Sequence, residues 1–548
     1  MGRERKFVVS ETSIGGGEPI QTEVLVIGAG IGGIYAVHRC LEEGLGVVCL
    51  EAASHVGGVW HHNRYPGARV DIESFDYCFH FSPEIYRDWQ WSERYAAQPE
   101  LFRYLEYVAD RTGAIDHIRF NARVVAANWK PADAEWHVRT DTGTSYRARF
   151  VLMATGNLSA PRPPAFEGME SFRGQIIETS SWPGAGVDWR GKRVGIIGTG
   201  SSGVQAIPVI AKDAAKLTVF QRTANYSVPA QNGPMQADRH QAVIDDVLAE
   251  RARMMDSYAG INALIREVRP STDYSPEEQQ AALERQWQEG GQGMMAVFAD
   301  QQTNPVAAEL VSEFVRSKIR QIVRDPITAE TLCPKGFPIG VRRLGVDTDY
   351  YDTFNRDNVE LVDVKADPIV RITPNGVETA SGEHPVDILI FALGFDAFTG
   401  AIDRAGIRNE KGEAPTDRWR RGPRTLLGLM IAGFPNLFMV SGPGSPSVLV
   451  NLMLMNEYSI DWIVDCIKWL DAKGARTIEA TVEAEDAWVE EVAKTASHRL
   501  AARIPNWMTH QGEDGSRAFI PYAAGLKAYR VHAEGCVNAG YAGFRTSR

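Results

Sequence analysis

Glu23-Val24-Leu25-Val26-Ile27-Gly28-Ala29-Gly30-Ile31-Gly32-Gly33 is the stretch from which the fold can be read. Glu23 to Ile27 is a short, largely apolar and β-branched run. It leads into a glycine-rich turn and then a helix-like stretch to about Glu43. A second apolar run, Val47 to Leu50, ends in Glu51. Strand, turn, helix, strand and acid, in that order, describe a dinucleotide-binding unit. Gly28 permits the tight turn, Gly30 lets backbone approach a pyrophosphate, and Gly33 lets the helix pack on the strand. The helix N-terminus then faces the diphosphate. Glu51, eighteen residues beyond Gly33, is placed to accept both ribose hydroxyls. A purely structural glycine turn is the alternative for an isolated GxGxxG. Here the whole unit surrounds it.

The design returns at Arg193–Ile197, followed by Gly198-Thr199-Gly200-Ser201-Ser202-Gly203, a helix, and a strand at Leu217–Phe220. This copy ends in Gln221-Arg222-Thr223, with no acid. A carboxylate there would repel a 2′-phosphate, whereas a guanidinium attracts one and can grip it with two N–H groups. Gly198, Gly200, Ser201, Gly203, Arg222 and Thr223 therefore point to NADPH; a solvated surface cation is the alternative for Arg222 taken alone. Two dinucleotide units in one chain suggest FAD on the first and NADPH on the second.

The expected fold class is α/β, with two Rossmann-like dinucleotide-binding domains and an inserted helical subdomain. Residues 1–157 and 390–548 form the FAD-binding domain, 158–224 and 336–389 the NADPH-binding domain, and 225–335 the insertion. Three N-cap-plus-proline starts mark helices in the insertion: Ser275-Pro276, Asn304-Pro305 and Asp325-Pro326. Val311, Val315, Ile319 and Ile322 recur at helical spacing. Strand texture appears at Arg149–Met153, Val359–Val364 and Asp387–Phe391.

Composition narrows the function classes. The 548 residues carry a net charge of −11, and 44% are hydrophobic against 23% charged, an ordinary globular balance. An acidic surface disfavours nucleic acid and anionic lipid as partners. The six cysteines (Cys40, Cys49, Cys78, Cys333, Cys466 and Cys536) include no CxxC pair. That spacing suits a reducing compartment and lacks the dithiol of a disulfide reductase. The first twenty residues contain no apolar core of a signal peptide, and no apolar run approaches eighteen residues. A cytoplasmic protein, monomeric or weakly homo-oligomeric and bound to no membrane, is expected. Without a dithiol, electrons reaching the flavin are expected to pass to O2.

Residues 57–74 make the reading specific: Gly57-Gly58-Val59-Trp60-His61-His62-Asn63-Arg64-Tyr65-Pro66-Gly67-Ala68-Arg69-Val70-Asp71-Ile72-Glu73-Ser74. This resembles the GGxW…YPG…D motif of type I Baeyer–Villiger monooxygenases. The similarity continues through Phe172-Arg173-Gly174, Trp182-Pro183, Tyr350 to Asn358, Ala392 to Asp396 and Gly442 to Ser447, so it covers nearly the whole chain. It implies NADPH- and O2-dependent insertion of one oxygen beside a ketone carbonyl, through a flavin peroxide, giving esters or lactones. Gly58 and Trp60 fall among the cofactor-binding residues of the motif. Arg343 matches the arginine that stabilises the anionic peroxide, and Asp71 the carboxylate that tunes it. Arg342 matches a lysine that helps hold the 2′-phosphate. Trp507 matches a tryptophan on a loop that closes over NADP. Val448 and Leu449 match a bulge lining the ketone pocket, with Met453 nearby. On spacing alone, Arg342-Arg343 also fits a basic turn, Val448, Leu449 and Met453 fit ordinary core, and Trp507 fits a surface-loop anchor.

The family fingerprint FxGxxxHxxxW runs from Phe172 through Gly174 to Trp182, but its His position is Glu178. Glu178 either weakens the coupling of the two nucleotide units or is a tolerated substitution. His61-His62 replace aromatic residues; with no third ligand at useful spacing the pair is read as a loop, and no metal is expected. Rival functions are heteroatom oxygenation, and an uncoupled NADPH oxidase or non-turnover nucleotide-binding redox module.

Overall fold

The computed structural model describes residues 18–548. The absence of an apolar leader was read from the first twenty residues, of which 1–17 lie outside the described ones.

Two large sheets dominate the described residues, beside one three-stranded and three two-stranded ones. The first runs in the order Ile407–Arg408, Val124–Lys130, Glu135–Thr140, Ser145–Met153, Ile20–Ile27, Val47–Leu50 and Ile118–Arg119. Leu437–Met439 also pairs with Ser145–Met153. Ile20–Ile27 is parallel to both neighbours, with Val24 opposite Val47 on one side and Phe150 on the other. Val24, Leu25 and Val26 are fully buried. Cover on both faces explains why this strand reads as a continuous apolar run and does not alternate. Helix Ile31–Glu42 follows it and packs against the long helix Leu452–Ala472, so the C-terminal part of the chain completes the first unit.

The second sheet is wholly parallel, in the order Val359–Asp363, Lys216–Gln221, Arg193–Ile197, Ile388–Phe391 and Gln175–Glu178. Arg193–Ile197 has the bounds expected from sequence, and helix Ser201–Asp213 follows it.

The region 225–335 is mainly helical. Ser275, Asn304 and Asp325 each cap a helix with the side chain, accepting from the N–H of Glu278, Val306 and Thr328. In helix Pro305–Ile322, Val311, Val315 and Ile319 are buried and Ile322 is only half-buried. A short strand, Ser227–Pro229, pairs with Gly345–Asp347 and ties this region back to the segment carrying Arg342 and Arg343. All six cysteines are free, and five are buried. Among the described residues no helix is long and apolar enough to cross a membrane.

Candidate active site

Each sheet presents one glycine loop at the C-terminal end of a central strand. In the first, Gly28 begins the turn at φ +101°, and a Cβ on Gly33 would lie 1.8 Å from the Gly28 carbonyl oxygen. The helix can sit that close only because Gly33 has no side chain. Gly30 caps the helix with no side chain to satisfy the first N–H groups. These donors are what a diphosphate requires. Glu51 is buried beside them and accepts from the N–H of Ala29 at 2.6 Å and of Ala53 at 2.7 Å. Each carboxylate oxygen keeps a lone pair for a ribose hydroxyl.

The Gly57-Gly58 loop packs onto this turn. Gly57 N–H donates to Ala29 O at 2.9 Å, and Gly58, at φ +55°, comes against the Gly30 backbone. Trp60 follows, with its indole N–H on Tyr77 Oη at 3.1 Å and its carbonyl accepting from Gln98 Nε2 at 2.5 Å. His61 stacks on His55 and is bonded through Nδ1 to Arg64 at 2.7 Å. Burial, then the Arg64 charge, push the His61 imidazole down to about 4. An adjoining guanidinium is a poor neighbour for a metal cation. Among the described residues no group of three or more His, Cys, Asp or Glu is placed to hold one.

The second loop repeats the first. Gly198 turns at φ +114°, and a Cβ on Gly203 would lie 2.3 Å from Gly198 O. Gly200 is the uncapped helix start, with no heavy atom within 4 Å of where its Cβ would be. Ser201 is exposed at the first helical position. Thr223 O accepts from Thr199 Oγ1 at 3.3 Å. Arg222 is exposed just past the strand, and Arg342 lies over the Phe337 ring at 4.6 Å. Burial, then the nearby Arg222 guanidinium, hold Arg342 below its ordinary value. Neither arginine has a carboxylate partner among the described residues. Two guanidiniums that repel one another, with no counter-ion among the described residues, have the chemistry to receive an anion.

The next residue serves the other unit. Arg343 Nε and Nη2 meet the two oxygens of Asp71 at 2.7 and 2.6 Å, and Nη1 donates to Val448 O at 3.3 Å. The two side chains are 32% and 28% exposed, so the pair is reachable from solvent. Burial opposes the charge on Arg343, but Asp71 outweighs it and holds the guanidinium above its ordinary value. Asn225 Nδ2 fixes the Arg343 carbonyl at 3.0 Å.

Val448 and Leu449 are partly buried and pack in one cluster with Trp507, which stacks on Phe398 at 5.8 Å between ring centroids. The sequence-expected wall and loop thus meet. Met453 corrects the expectation that it lies along the wall: it is completely buried in the main core, away from the partly exposed Val448 and Leu449. Its position in the first turn of a helix that packs on Ile31–Glu42 sends it inward.

Of the fingerprint residues, Phe172 packs on the core of the second sheet and Trp182 is buried. A Cβ on Gly174 would lie 2.4 Å from Asp387 O. Glu178 ends the edge strand, half-buried, and accepts only a long bond from Ser180 Oγ at 3.5 Å. No cation neutralises it among the described residues. Glu178→His is therefore expected to tighten NADPH binding by about two- to five-fold, the worth of one unscreened surface charge. Titration of the flavin-reduction rate with NADPH checks this; weaker binding by the variant would mean that the carboxylate has a role of its own.

Tyr77, Asn225 and Asn157 were not legible in sequence. Each acts through a partner more than a dozen residues away, and no motif marks them.

The chain resembles known proteins over nearly its whole length. A family model described as flavin-binding monooxygenase-like matches residues 21–235. A Baeyer–Villiger monooxygenase of Pseudooceanicola batsensis is 40% identical over 95% of each chain. A phenazine N-monooxygenase of Lysobacter antibioticus is 38% identical over 95% of this chain and 96% of its own. Among solved structures, an oxidised steroid monooxygenase bound to NADP superposes with a TM-score of 0.91 at 45% identity, covering 96% of this chain and 99% of the other. OTEMO in complex with FAD and NADP gives a TM-score of 0.92 at 37% identity, with the same coverage. Two glycine loops, an arginine pair beside the second and the Arg343–Asp71 pair stand in a chain that belongs to the flavin-binding monooxygenase-like family, among its Baeyer–Villiger monooxygenases.

Proposed function

We propose that this protein uses NADPH and O2 to insert one oxygen atom beside a ketone carbonyl, giving an ester or lactone, NADP and water. One observation carries the reading. The consecutive residues Arg342 and Arg343 divide between the two units: the first joins Arg222 at the second glycine loop, and the second pairs with Asp71 beside the first. A single short segment thus links the nucleotide that delivers electrons to the place where oxygen reacts.

In this reading residues 1–157 and 390–548 hold FAD, 158–224 and 336–389 hold NADPH, and 225–335 is inserted. FAD and NADP accompany the similar OTEMO structure, and both loops here have the helix starts without a side-chain cap that such ligands need. FAD, when bound, supplies electron and oxygen transfer. The residues of the chain do the rest. Glu51 receives the first ribose, and Arg222 and Arg342 receive the 2′-phosphate. Arg343 presents a charge that cannot act as an acid at working pH, so it stabilises an oxygen anion without protonating it. Asp71 orients that charge and offsets part of its burial cost. Val448 and Leu449 bound the ketone. Trp507, stacked on Phe398, closes the NADP side. The protein acts in the cytoplasm as a monomer or weak homo-oligomer, without nucleic acid.

A second reading, nitrogen or sulfur oxygenation, is favoured by the phenazine N-monooxygenase, which is about as similar as the ketone-directed relative. Product analysis with purified protein on matched ketones, sulfides and N-heterocycles separates the two. Esters support the proposal; N-oxides or sulfoxides without any ester overturn it.

Arg222→Ala is expected to raise the KM for NADPH roughly tenfold, the worth of one charge-assisted contact of about 1.5 kcal/mol, and to leave that for NADH nearly unchanged. Equal damage with both cofactors would remove Arg222 from the phosphate site.

A further inference from the structure

Asn157 lies just past strand Ser145–Met153, on the connector that leaves the first sheet for the second. Its Nδ2 donates to Ser447 Oγ at 2.7 Å. Ser447 is fully buried and has φ +45°. Residues with a side chain keep that left-handed conformation only where their surroundings impose it. Ser447 opens the tight turn Ser447–Leu449, in which Leu449 N–H bonds to Pro446 O at 3.1 Å and Val450 N–H to Ser447 O at 3.2 Å. The direction of the Val448 carbonyl is set inside this turn, and that carbonyl takes Arg343 Nη1.

Arg343 is therefore oriented by two groups. Asp71 grips one edge of the guanidinium. The Val448 carbonyl holds the other, and it depends on a strained residue clamped from the inter-sheet connector. The same turn carries the Val448 and Leu449 side chains that pack with Trp507. We propose that Asn157 is a positioning residue for Arg343: by clamping Ser447 in its left-handed conformation it aims the Val448 carbonyl and hence the guanidinium. The consequence for oxygenation rests on the role given to Arg343 above; the structural link does not.

The two steps of turnover should separate. Among the described residues neither Asn157 nor Ser447 hydrogen-bonds to Arg222, Arg342 or the Gly200 loop, so flavin reduction is expected to be insulated from them. Asn157→Leu keeps the bulk and removes the donor. In a crystal structure of this variant, Ser447 should leave the left-handed region and the Nη1–Val448 contact should open beyond hydrogen-bonding distance. In solution, flavin content and NADPH-driven flavin reduction should stay within about twofold of the parent. The fraction of NADPH lost to hydrogen peroxide should rise about threefold or more. Ser447→Ala should behave alike, and the double variant should be no worse than the worse single one, because both break one link. Ser447→Gly placed in the Asn157→Leu background should restore the partition, since glycine holds a positive φ without a clamp.

An intact Nη1–Val448 contact in the Asn157→Leu crystal would overturn the proposal. So would additive losses in the double variant, or a fall in flavin reduction equal to the loss of oxygenation. If the parent protein oxygenates no ketone, the function proposed above fails, while the Val448 contact in the variant crystal still decides this inference.

Discussion

Arg343→Ala is expected to give a yellow, folded protein that NADPH reduces at the parent rate and that forms no measurable ester. Removing one preorganised donor from a developing oxyanion typically costs about 10²–10³ in rate. Here the lost group is also the only cation that Asp71 holds among the described residues, so the effect belongs at the upper end of that range. Folding should survive. Asp71 is 28% exposed, so water can solvate the carboxylate once its partner is gone. Stopped-flow spectra would show flavin reduction without productive oxygenation, and the electrons would appear as hydrogen peroxide. Ester formation at the parent rate would end the assignment of Arg343.

The choice of arginine over lysine follows from the same geometry. Nε and Nη2 meet both oxygens of Asp71 while Nη1 reaches Val448 O. A lysine offers one point charge and cannot span both partners. Burial also lowers the pKa of an amine, so Arg343→Lys should lose ester formation as pH rises, whereas the parent should show no such arm. Asp71 holds the Arg343 guanidinium above its ordinary value, and it stays charged at every working pH.

The parts of this architecture that were legible in sequence are those encoded within a few neighbours. In strand Arg193–Ile197 the residues from Val194 on are buried, and the limits of the strand follow from its residues alone. Ser275, Asn304 and Asp325 announce helices because the capping bond spans two or three residues. The strand at Leu217–Phe220 proves one residue longer at each end, where Lys216 and Gln221 join the ladder without being apolar. The site is different in kind. Arg343 and Asp71 are separated by 272 positions and Asn157 and Ser447 by 290, so only the family resemblance could bring the first pair together and nothing could suggest the second. Met453 failed as a wall residue because proximity in sequence to the Val448 turn says nothing about which way a helix faces. Among the described residues Glu178 stands without a cation, a fact of its surroundings that its identity does not reveal.

Two glycines at different positions in the glycine loops, Gly33 and Gly200, predict opposite outcomes for one chemical change. Gly33→Ala is expected to abolish folded, flavin-bearing protein. Its methyl would lie 1.8 Å from the Gly28 carbonyl oxygen and 2.8 Å from the carbonyl carbon, both backbone atoms of the turn itself. No side chain can give way there. The helix Ile31–Glu42 would have to lift from the strand it follows, taking with it the contact to Leu452–Ala472 that joins the C-terminal part of the chain to the first sheet. Gly200→Ala should fold and keep its flavin. The backbone at Gly200 is extended, at φ −78° and ψ −170°, which alanine adopts readily, and no heavy atom lies within 4 Å of the new methyl. The helix loses at most about 1 kcal/mol from the poorer cap. That open space is where the NADPH diphosphate must approach the helix start, so the methyl should weaken NADPH binding by roughly tenfold or more, about 1.4 kcal/mol. Yield, flavin absorbance, thermal melting and the NADPH dependence of flavin reduction measure all four quantities. A Gly200→Ala protein with parent affinity for NADPH would show that the diphosphate binds elsewhere. A Gly33→Ala protein that melts with the parent would show that the first helix can move, and the close approach would then be an accident of packing with no bearing on the site.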